Sequence, residues 1–374
     1  MTQVRVVGAG PAGLMAAEVL ASAGLTVTIV DHHKSPARKF LLAGRGGLNL
    51  TYNEPLERML DRYGSGRDLL EPALRAFPPE ALLGWCHGLG IETFVGSSNR
   101  VFPKGLRASP LLRAWLRRLE GLGVTLQSQT AWAGFDDMPT ILALGGASWP
   151  ELGSNATWVK IFEKAGVHVT PLQPSNGRQL VAWSEHFTSR FAGTPLKNVD
   201  VTVSGRTVRG EVMITRDGIE GGAIYALSPQ FRQSRIMQID LKPDMSNEVL
   251  AERMAFPQGK QSRSNYLRKA AGLTPVGISL MREGASESPK AITISTLGPA
   301  GNSRSISTAG GVAATEVDET FRLRKFPNTY VVGEMLDWDA PTGGYLLQAC
   351  FSTAYVAAKA IASTINGAAG KGLL

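Results

Sequence analysis

Cysteine is scarce in this chain: Cys86 and Cys350 are the only two among 374 residues. They lie far apart and form no Cys-x-x-Cys pair. This spacing argues against a disulfide framework, a zinc site built on paired cysteines and a redox-active dithiol. We therefore expect any redox chemistry to depend on something other than thiols.

Long apolar runs are also missing. No stretch reaches about 18 uninterrupted apolar residues, which is the length that a membrane-spanning helix requires. The apolar C-terminal segment carries Gln348 and Lys359, and Glu18 interrupts the N-terminal run that could imitate a signal peptide. The sequence therefore predicts no membrane span and a cytoplasmic protein.

Acidic residues are absent from two stretches that are rich in cations. The whole chain has 39 Lys and Arg against 31 Asp and Glu, a net charge of +8. This surplus allows two interpretations, solvated faces of amphipathic helices or a surface for a polyanion. The cations are Arg100, Lys104, Arg107, Arg113, Arg117 and Arg118 in the first stretch, and Arg253, Lys260, Arg263, Arg268, Lys269 and Arg282 in the second.

Glycine, by contrast, is abundant, and residues 4–17 show how it is used. Four β-forming residues precede three glycines at Gly-x-Gly-x-x-Gly spacing, and a helix rich in small residues follows. Gly8 permits a tight turn, Gly10 lets a pyrophosphate approach the backbone, and Gly13 lets the helix pack on the strand. The helix N-terminus then presents N–H groups to negative charge. The residues predicted to bind a dinucleotide here are Gly8, Gly10, Pro11, Ala12 and Gly13.

A second predicted strand, residues 25–30, ends on Asp31, about 20 residues beyond the glycines, where a ribose hydroxyl is usually recognised. An ordinary glycine turn explains the glycines alone, but not the strand and the acid that follow them. His32 and His33 are expected near the adenine end of the nucleotide or at the surface, because the histidines show no metal-ligand spacing. We expect no metal.

A second glycine-rich loop, residues 38–51, combines cations with short polar side chains. Lys39 and Arg45 are suited to neutralise phosphates, and Asn49 and Thr51 to hydrogen-bond a ring edge. The loop is too polar and too rich in glycine for a core segment. Its glycines assigned to the same site are Gly46 and Gly47.

Two further predicted strands end in glycine. The strand at 140–144 runs into Gly145 and Gly146, and a buried strand from residue 329 ends in Gly333 and Glu334. Backbone segments of this kind approach a cofactor from the carboxyl edge of a parallel sheet. Short strands are also expected over 124–127 and 131–135.

Helical periodicity is predicted over 56–89, with breaks at Pro72 and at Pro78–Pro79, and over 110–122. Further helices are expected over 246–254, with Ser246 as N-cap, and over 265–271. A long helix should begin at Tyr345 and run to about residue 365. Gly343 and Gly344 precede it. The partial positive charge at the N-terminus of this helix would suit the electron-rich pyrimidine edge of a reduced flavin.

The alternating pattern over 171–241 predicts antiparallel β structure. The expected organisation is therefore a nucleotide-binding domain over 1–170 and 305–374, interrupted by an insert. The insert has a β-rich part over 171–240 and 280–304 and a helical part over 241–279.

Conspicuous blocks of sequence span nearly the whole chain: residues 8–13, 38–51, 100–103, 144–149, 196–198, 308–312, 333–337 and 342–348. Together they resemble the aminoacetone-oxidase-like FAD-binding flavoproteins of the BaiN/YhiN type. The resemblance implies an α/β fold with a two-dinucleotide-binding, Rossmann-like FAD domain, interrupted by a β-barrel and a small helical insert.

The glycine fingerprint, Asp31 and the two Gly-Gly turns form one continuous dinucleotide site, which predicts non-covalently bound FAD. The resemblance implies its further contacts. Gly333 and Glu334 would meet its ribityl and pyrophosphate groups, and residues 344–347 its isoalloxazine ring. Tyr345 and Lys39 become candidates for a flavin-side acid. The remaining cofactor-binding residues that we assign are Ala133, Leu144, Asp337, Leu346 and Leu347.

Two departures from the family pattern matter. Leu48 stands where many relatives have cysteine, which removes a thiol from the neighbourhood of the flavin. Only residues 136–139 separate the predicted strands on either side, so the β-hairpin usual at this point is shortened or absent.

For function, the resemblance implies an oxidoreductase in which FAD takes hydride from NAD(P)H and passes it to an activated carbon–carbon double bond. The sequence has no second strand–GxGxxG–helix unit, so NAD(P)H should dock transiently. One alternative is an O₂-using amine oxidase with a small-molecule substrate, as the family name suggests.

Another alternative is a flavoprotein that binds RNA or reduces a pyrimidine ring within it. Aromatic residues lie among the cations of the two basic stretches, where they could stack on bases. Trp115, however, occupies an apolar position of a periodic helix, which favours the core. The aromatic residues are Phe102, Trp115, Phe256 and Tyr266.

Overall fold

The computed structural model of the chain describes residues 3–44 and 46–371. The chain divides into two compact units. The larger unit combines Met1–Gln173 with Ser307–Leu374, and the inserted unit is Pro174–Ile306. The predicted mixed α/β fold, with a parallel Rossmann-like sheet and a separate antiparallel sheet, is confirmed.

A five-stranded parallel sheet forms the centre of the larger unit. Its strand order is Thr329–Val331, Thr140–Leu142, Gln3–Val7, Thr26–Val30 and Thr125–Gln127. All four pairings are parallel, so the carboxyl ends of the strands meet at one edge. The neighbouring residues Val6 and Val7 point to opposite faces of the sheet and both are buried, as a sheet covered on both faces requires.

Helices cover this sheet. The first helix, Pro11–Ser22, packs against the C-terminal helix, Tyr345–Lys371. Alanines on both helices are buried in one core cluster, because their small side chains let the two backbones approach closely. The other α-helices of this unit are Arg38–Ala43, Leu56–Asp61, Arg67–Ala76, Pro79–Gly88, Ala108–Gly121 and Trp158–Lys164.

Two small sheets complete the larger unit. One has the antiparallel strand order Thr51–Tyr52, Arg100–Pro103 and Thr93–Val95. The other pairs Val169–Ser175 with Ser307–Val312. Within the described part of the chain, no helix is both long and apolar enough to cross a membrane.

The inserted unit contains a seven-stranded sheet whose described pairings are antiparallel. The two ends of the strand order are separated along the chain only by Thr296 and Leu297. One continuous segment therefore pairs with both sides of the sheet, which curls it towards a barrel. The order is Ile292–Ser295, Ile236–Asp240, Pro195–Val203, Arg206–Thr215, Gly218–Glu220, Gln179–Leu180 and Gly298–Pro299.

Helices of the inserted unit pack on this sheet. The predicted N-cap is confirmed, since the Ser246 hydroxyl accepts a hydrogen bond from the Val249 N–H at 3.3 Å. The helices are Glu185–Phe191, Gly222–Ala226, Ser228–Phe231, Asn247–Met254, Arg263–Ala271 and Pro275–Glu283.

Three secondary-structure predictions are wrong. The segment 38–51 is not a loop outside the core, because it begins with the helix Arg38–Ala43 and buries Phe40 and Leu48 in the core. Residues 131–135 form no strand, because Gly134 has a φ of +133° and Phe135 stacks on Phe326 with the ring centroids 3.9 Å apart. Side-chain packing thus replaces strand pairing here. Pro72 does not break its helix, since Arg67–Ala76 continues through it. The predicted break at Pro78–Pro79 is confirmed, and the next helix begins at Pro79.

Trp115 is fully buried, which confirms the core interpretation. Its ring lies 4.7 Å from Trp85 and 5.7 Å from Phe351, measured between centroids.

We predict that Trp115→Ala lowers the free energy of unfolding by about 3–5 kcal/mol, because it leaves a large cavity. Phe94→Ala is the control, since Phe94 is 41% exposed and its loss should cost only about 1 kcal/mol. Urea unfolding followed by circular dichroism measures both, and equal losses would contradict the prediction.

Candidate functional site

The carboxyl edge of the parallel sheet carries a pocket, which we call the edge pocket. Residues that directly follow four of the five strands contribute to its walls, because parallel strands end at the same edge. The edge pocket is lined by Gly8, Ala9, Gly10, Pro11, Ala12, Asp31, His32, His33, Ser35, Ala37, Arg38, Lys39, Phe40, Ala143, Leu144, Gly145, Leu152, Gly153, Ser154, Val332, Glu334 and Cys350.

The glycine turn has the geometry that a phosphate site requires. Gly8 has a φ of +101°, and a Cβ there would overlap the Ala143 carbonyl oxygen. A Cβ on Gly13 would overlap the Gly8 carbonyl oxygen, so the first helix lies directly against the turn. A Cβ on Gly10 would meet nothing within 4 Å, although Gly10 lines the edge pocket. Gly10 therefore leaves open the space that an approaching ligand would use.

The first helix has no side-chain cap at its N-terminus. Its N-cap residue is Gly10, and Pro11 opens the first turn. The partial positive charge of the helix end is therefore directed at the edge pocket without a competing carboxylate in the first turn. An anionic group bound there would be stabilised by the helix.

Asp31 holds the turn in shape. Its Oδ2 accepts a hydrogen bond from the Ala9 N–H and its Oδ1 accepts one from the His33 N–H, both at 2.7 Å. Carboxylate oxygens have further lone pairs, so Asp31 can still accept from ribose hydroxyls. The carboxylate thus combines a structural role with the predicted recognition of a nucleotide.

Lys39 and Glu334 form an ion pair on the wall of the edge pocket, with Nζ and Oε2 2.7 Å apart. Lys39 also donates to the buried Ser148 hydroxyl. The other oxygen of Glu334 accepts from the Thr308 N–H at 3.0 Å. The pair therefore fixes the second glycine-rich loop to the segment that follows the strand Thr329–Val331.

His33 and Arg38 both contribute to the wall of the edge pocket. Nη1 of Arg38 lies 2.8 Å from Nδ1 of His33. A guanidinium can only donate, so Nδ1 must accept and the ring is neutral. Burial of the ring is the main cause that lowers the pKa of His33, and the charges of His32 and Arg38 lower it further. A lowered pKa favours the same neutral form.

Ser154 and Cys350 belong to the edge pocket but were missed by the sequence analysis. The Ser154 hydroxyl is buried and has no hydrogen-bond partner among the described residues, as expected for a group that meets a ligand. Neither residue lies in a glycine-rich loop or directly after a strand, which were the signals used. Burial and the nearby Glu334 carboxylate raise the pKa of Cys350 to about 12.

Tyr345 lies in a second cluster, at the start of the C-terminal helix. Its hydroxyl donates to Oε1 of Glu54 at 2.6 Å, and its ring stacks on Tyr52 with centroids 5.2 Å apart. Burial and the Glu54 carboxylate raise the pKa of Tyr345. The backbone of Gly344 approaches Thr51 so closely that no side chain would fit there.

Buried polar atoms near this cluster lack partners. Asn49 Oδ1 and Thr51 Oγ1 have no hydrogen-bond partner in the described part of the chain. Both were assigned to a ring edge, and two unpaired buried acceptors suit a ligand that donates hydrogen bonds. Both assignments stay predictions.

The predicted site residues thus fall into groups. Gly13 supports the turn from behind, and Gly333 lies between Ala12 and Cys350, with a φ of +70°. Asp337 accepts from the Thr170 hydroxyl at 2.7 Å, and Ala133 is exposed in the irregular segment. Arg45 lies outside the described residues. Those not among the edge-pocket lining residues are Gly13, Gly46, Gly47, Asn49, Thr51, Ala133, Gly146, Gly333, Asp337, Gly343, Gly344, Tyr345, Leu346 and Leu347.

FAD fits the groups that the edge pocket presents. The open space at Gly10 and the uncapped helix suit a pyrophosphate, and Asp31 suits a ribose. The Ser154 hydroxyl, which has no partner among the described residues, can hydrogen-bond a polar group of the cofactor. The cations Lys39 and Arg38 line the same walls. Fold and site together define an FAD-binding flavoprotein of the Rossmann-like class.

Residues 2–360 match the family described as the HI0933-like protein Rossmann domain, and the chain belongs to this family. A ribosomal RNA dihydrouridine synthase of Escherichia coli (strain K12) is 26% identical over 401 aligned residues, which cover 95% of this chain and 96% of that protein. A 3-dehydro-bile acid delta(4,6)-reductase of Clostridium scindens is 24% identical over 413 residues, covering 97% of this chain and 99% of that protein.

Among solved structures, the open conformation of a flavocytochrome c3 fumarate reductase is similar, with a TM-score of 0.52 and 15% identity. The similarity covers 97% of this chain and 78% of that one, and it supports the fold. The family match and the reductase among the relatives confirm the predicted class: the chain is an FAD-dependent oxidoreductase.

We predict that Gly10→Val abolishes FAD retention without unfolding the protein. Gly10 has φ −80° and ψ −179°, an extended conformation that valine adopts readily, and its Cβ would meet no protein atom within 4 Å. The side chain would instead fill the space assigned to the pyrophosphate. Acid precipitation should release FAD from the wild type into the supernatant and none from the variant.

Gly84→Val is the matched control. Gly84 is exposed within the helix Pro79–Gly88, and a Cβ there also meets nothing within 4 Å. This variant should keep its FAD. A folded Gly10→Val protein with a full complement of FAD would show that the pyrophosphate lies elsewhere.

Proposed function

We propose that this protein uses NAD(P)H to reduce a carbon–carbon double bond conjugated to a carbonyl group. The observation that carries the proposal is the similarity, over nearly the whole chain, to two enzymes whose names both describe such a reduction. Dihydrouridine is uridine with its ring double bond saturated, and a 3-dehydro delta(4,6) system is a conjugated enone. A shared flavin site acting on the same functional group explains both relatives.

When bound, FAD would accept hydride from the nicotinamide and pass it to the acceptor carbon, while a proton completes the saturation at the neighbouring carbon. The chain would hold the cofactor through the glycine turn, Asp31 and the Lys39–Glu334 pair. Of the two acids inferred from the resemblance, Lys39 lines the edge pocket, whereas the Tyr345 hydroxyl is engaged with Glu54. This geometry favours Lys39 as the group that adjusts charge beside the flavin.

The nicotinamide donor would bind transiently. The sequence has one strand–GxGxxG–helix unit, and the edge pocket accounts for it. A donor that docks, transfers hydride and leaves needs no dinucleotide domain of its own. We therefore propose alternate occupation of the flavin face by donor and acceptor.

Anaerobic reduction of the FAD-loaded protein tests this function. NADH or NADPH should bleach the flavin absorbance, and a conjugated double bond should then restore it, with one acceptor bond saturated per nicotinamide oxidised. Uridine-containing RNA and a 3-oxo-4-ene steroid are the two acceptors to compare. Oxygen uptake with aminoacetone, without reduction by either nicotinamide, would instead identify the amine oxidase.

We predict that thiols take no part in this electron transfer. Burial raises the pKa of Cys86 to about 12, and the pKa of Cys350 is raised to about 12 as well. Both thiols are therefore protonated at neutral pH and are poor nucleophiles. A Cys86→Ser/Cys350→Ser double variant should be reduced by NAD(P)H at a near-normal rate. A loss of more than about tenfold, or about 1.4 kcal/mol in the barrier, with FAD still bound would show that a thiol participates.

RNA is the second candidate substrate class, favoured by the basic stretches and by the name of the Escherichia coli relative. Lys104 pairs with Glu92, Arg118 with Glu18 and Arg263 with Glu287. Among the described residues, no acidic partner pairs with the other nine cations. Those nine are Arg100, Arg107, Arg113, Arg117, Arg253, Lys260, Arg268, Lys269 and Arg282.

The aromatic residues of the two stretches differ in exposure, and Phe102 is half-buried with its ring stacked on Phe94. Trp115 and Tyr266 are buried, so neither ring is free to stack on a base. Phe256 is 73% exposed. Of the rings proposed from the sequence, Phe256 therefore offers the largest accessible face.

A further inference from the structure

A surface pocket in the inserted unit surrounds Phe256, at the junction between the helices Asn247–Met254 and Arg263–Ala271. We call it the Phe256 pocket. It brings together an exposed aromatic ring, two cations and an amide side chain. Its principal lining residues are Arg253, Phe256, Pro257, Gln261, Tyr266 and Lys269.

We propose that the Phe256 pocket binds one nucleotide of a single-stranded RNA segment, with the base on Phe256 and the phosphate between Arg253 and Lys269. The inference rests on the RNA branch of the proposed function and adds a location to it. An exposed ring beside unpaired cations is the combination that single-stranded nucleic acid recognition uses.

The ring of Phe256 is unusually exposed for a side chain of its size. Most large apolar side chains of the inserted unit are in its core, whereas Phe256 is 73% exposed and followed by Pro257. Burying that ring against a base would recover the free energy lost by exposing it to water. Proline restricts the backbone beside the ring, so little conformational entropy would be lost on binding.

The charge around the ring favours a polyanion over a protein partner. Arg253 and Lys269 are exposed, and no ion pair joins either to a described acidic residue. Glu252 adjoins Arg253 in sequence but does not line the pocket. Lys260 and Arg268 are exposed in the same two-helix segment and add to its positive charge.

Two of the residues that line the Phe256 pocket, Tyr266 and Gln261, carry polar side-chain atoms. The Tyr266 hydroxyl donates to the Met254 carbonyl oxygen, and Gln258 Nε2 donates to the Gln261 carbonyl oxygen at 2.7 Å. Oε1 of Gln261 is buried without a hydrogen-bond partner among the described residues. An acceptor held in this way could receive a base N–H, which a stacking platform alone would not use.

The test measures binding of a 3′-fluorescein-labelled 12-nucleotide oligouridine to the FAD-loaded full chain by fluorescence anisotropy, over a series of salt concentrations. Phe256→Ala should weaken binding about tenfold, because one stacked base is lost, and leave the salt slope unchanged. Arg253→Gln/Lys269→Gln should reduce the magnitude of the slope of log K against log salt by about 0.7, because the one phosphate between them is no longer neutralised.

Arg206→Gln/Arg216→Gln is the matched control. Both arginines are exposed in the same unit and do not line the Phe256 pocket, and their replacement changes the net charge equally. The control variant should bind as the wild type does. All variants should keep a normal flavin spectrum and normal reduction by NAD(P)H, which shows that they are folded.

The outcomes separate the two proposals. If the wild type binds the oligonucleotide no better than a neutral flavoprotein does, both the RNA branch and this site are overturned. If it binds but Phe256→Ala has no effect, or the control pair lowers the slope as much as the pocket pair, only this site is overturned. Unchanged RNA binding with a loss of self-association in Phe256→Ala would assign the pocket to a second copy of the chain and would also overturn the proposal. Failure of reduction by NAD(P)H with the predicted binding pattern would leave this site supported and remove the reductase.

Discussion

The contact between the first helix and the turn before it allows no side chain at Gly13, and Gly8 in that turn has no room for one beside the Ala143 carbonyl oxygen. Much of the edge pocket depends on that contact. It aims an uncapped helix end at the carboxyl edge of the sheet and leaves open space in front of Gly10. The Ala9 N–H, carried by the same turn, then reaches Asp31 at the end of the neighbouring strand. The absence of side chains at Gly8 and Gly13 thus determines how closely the helix, the turn and the neighbouring strand end approach one another.

Electrostatics join the two ends of the chain at the same place. Lys39 belongs to the N-terminal third of the sequence and Glu334 follows the last strand of the sheet, yet their charged atoms are 2.7 Å apart. Both side chains are largely shielded from water, so removing either one alone would leave a poorly solvated charge beside the edge pocket. The ion pair therefore joins two distant parts of the chain and also sets the charge on the wall of the edge pocket.

The sequence predicted much of the fold because its signals are local. Glycines at fixed spacing, apolar strands and the acid at Asp31 each specify a backbone geometry within a few residues. The misses have other causes. Aromatic packing replaces the strand predicted over 131–135. Ser154 reaches the edge pocket only through the tertiary fold. The pairing of Lys39 with Glu334 likewise depends on tertiary structure and leaves no trace in sequence spacing.

The insertion of one unit into another has a consequence for how the protein is made. The strand Thr329–Val331 pairs with Thr140–Leu142, although the whole inserted unit lies between them in sequence. During synthesis from the N-terminus, the ribosome must therefore complete the inserted unit before the parallel sheet can gain its last strand. Until then the outer edge of Thr140–Leu142 is unpaired, and the nascent chain presents an apolar strand to which chaperones or other chains can bind.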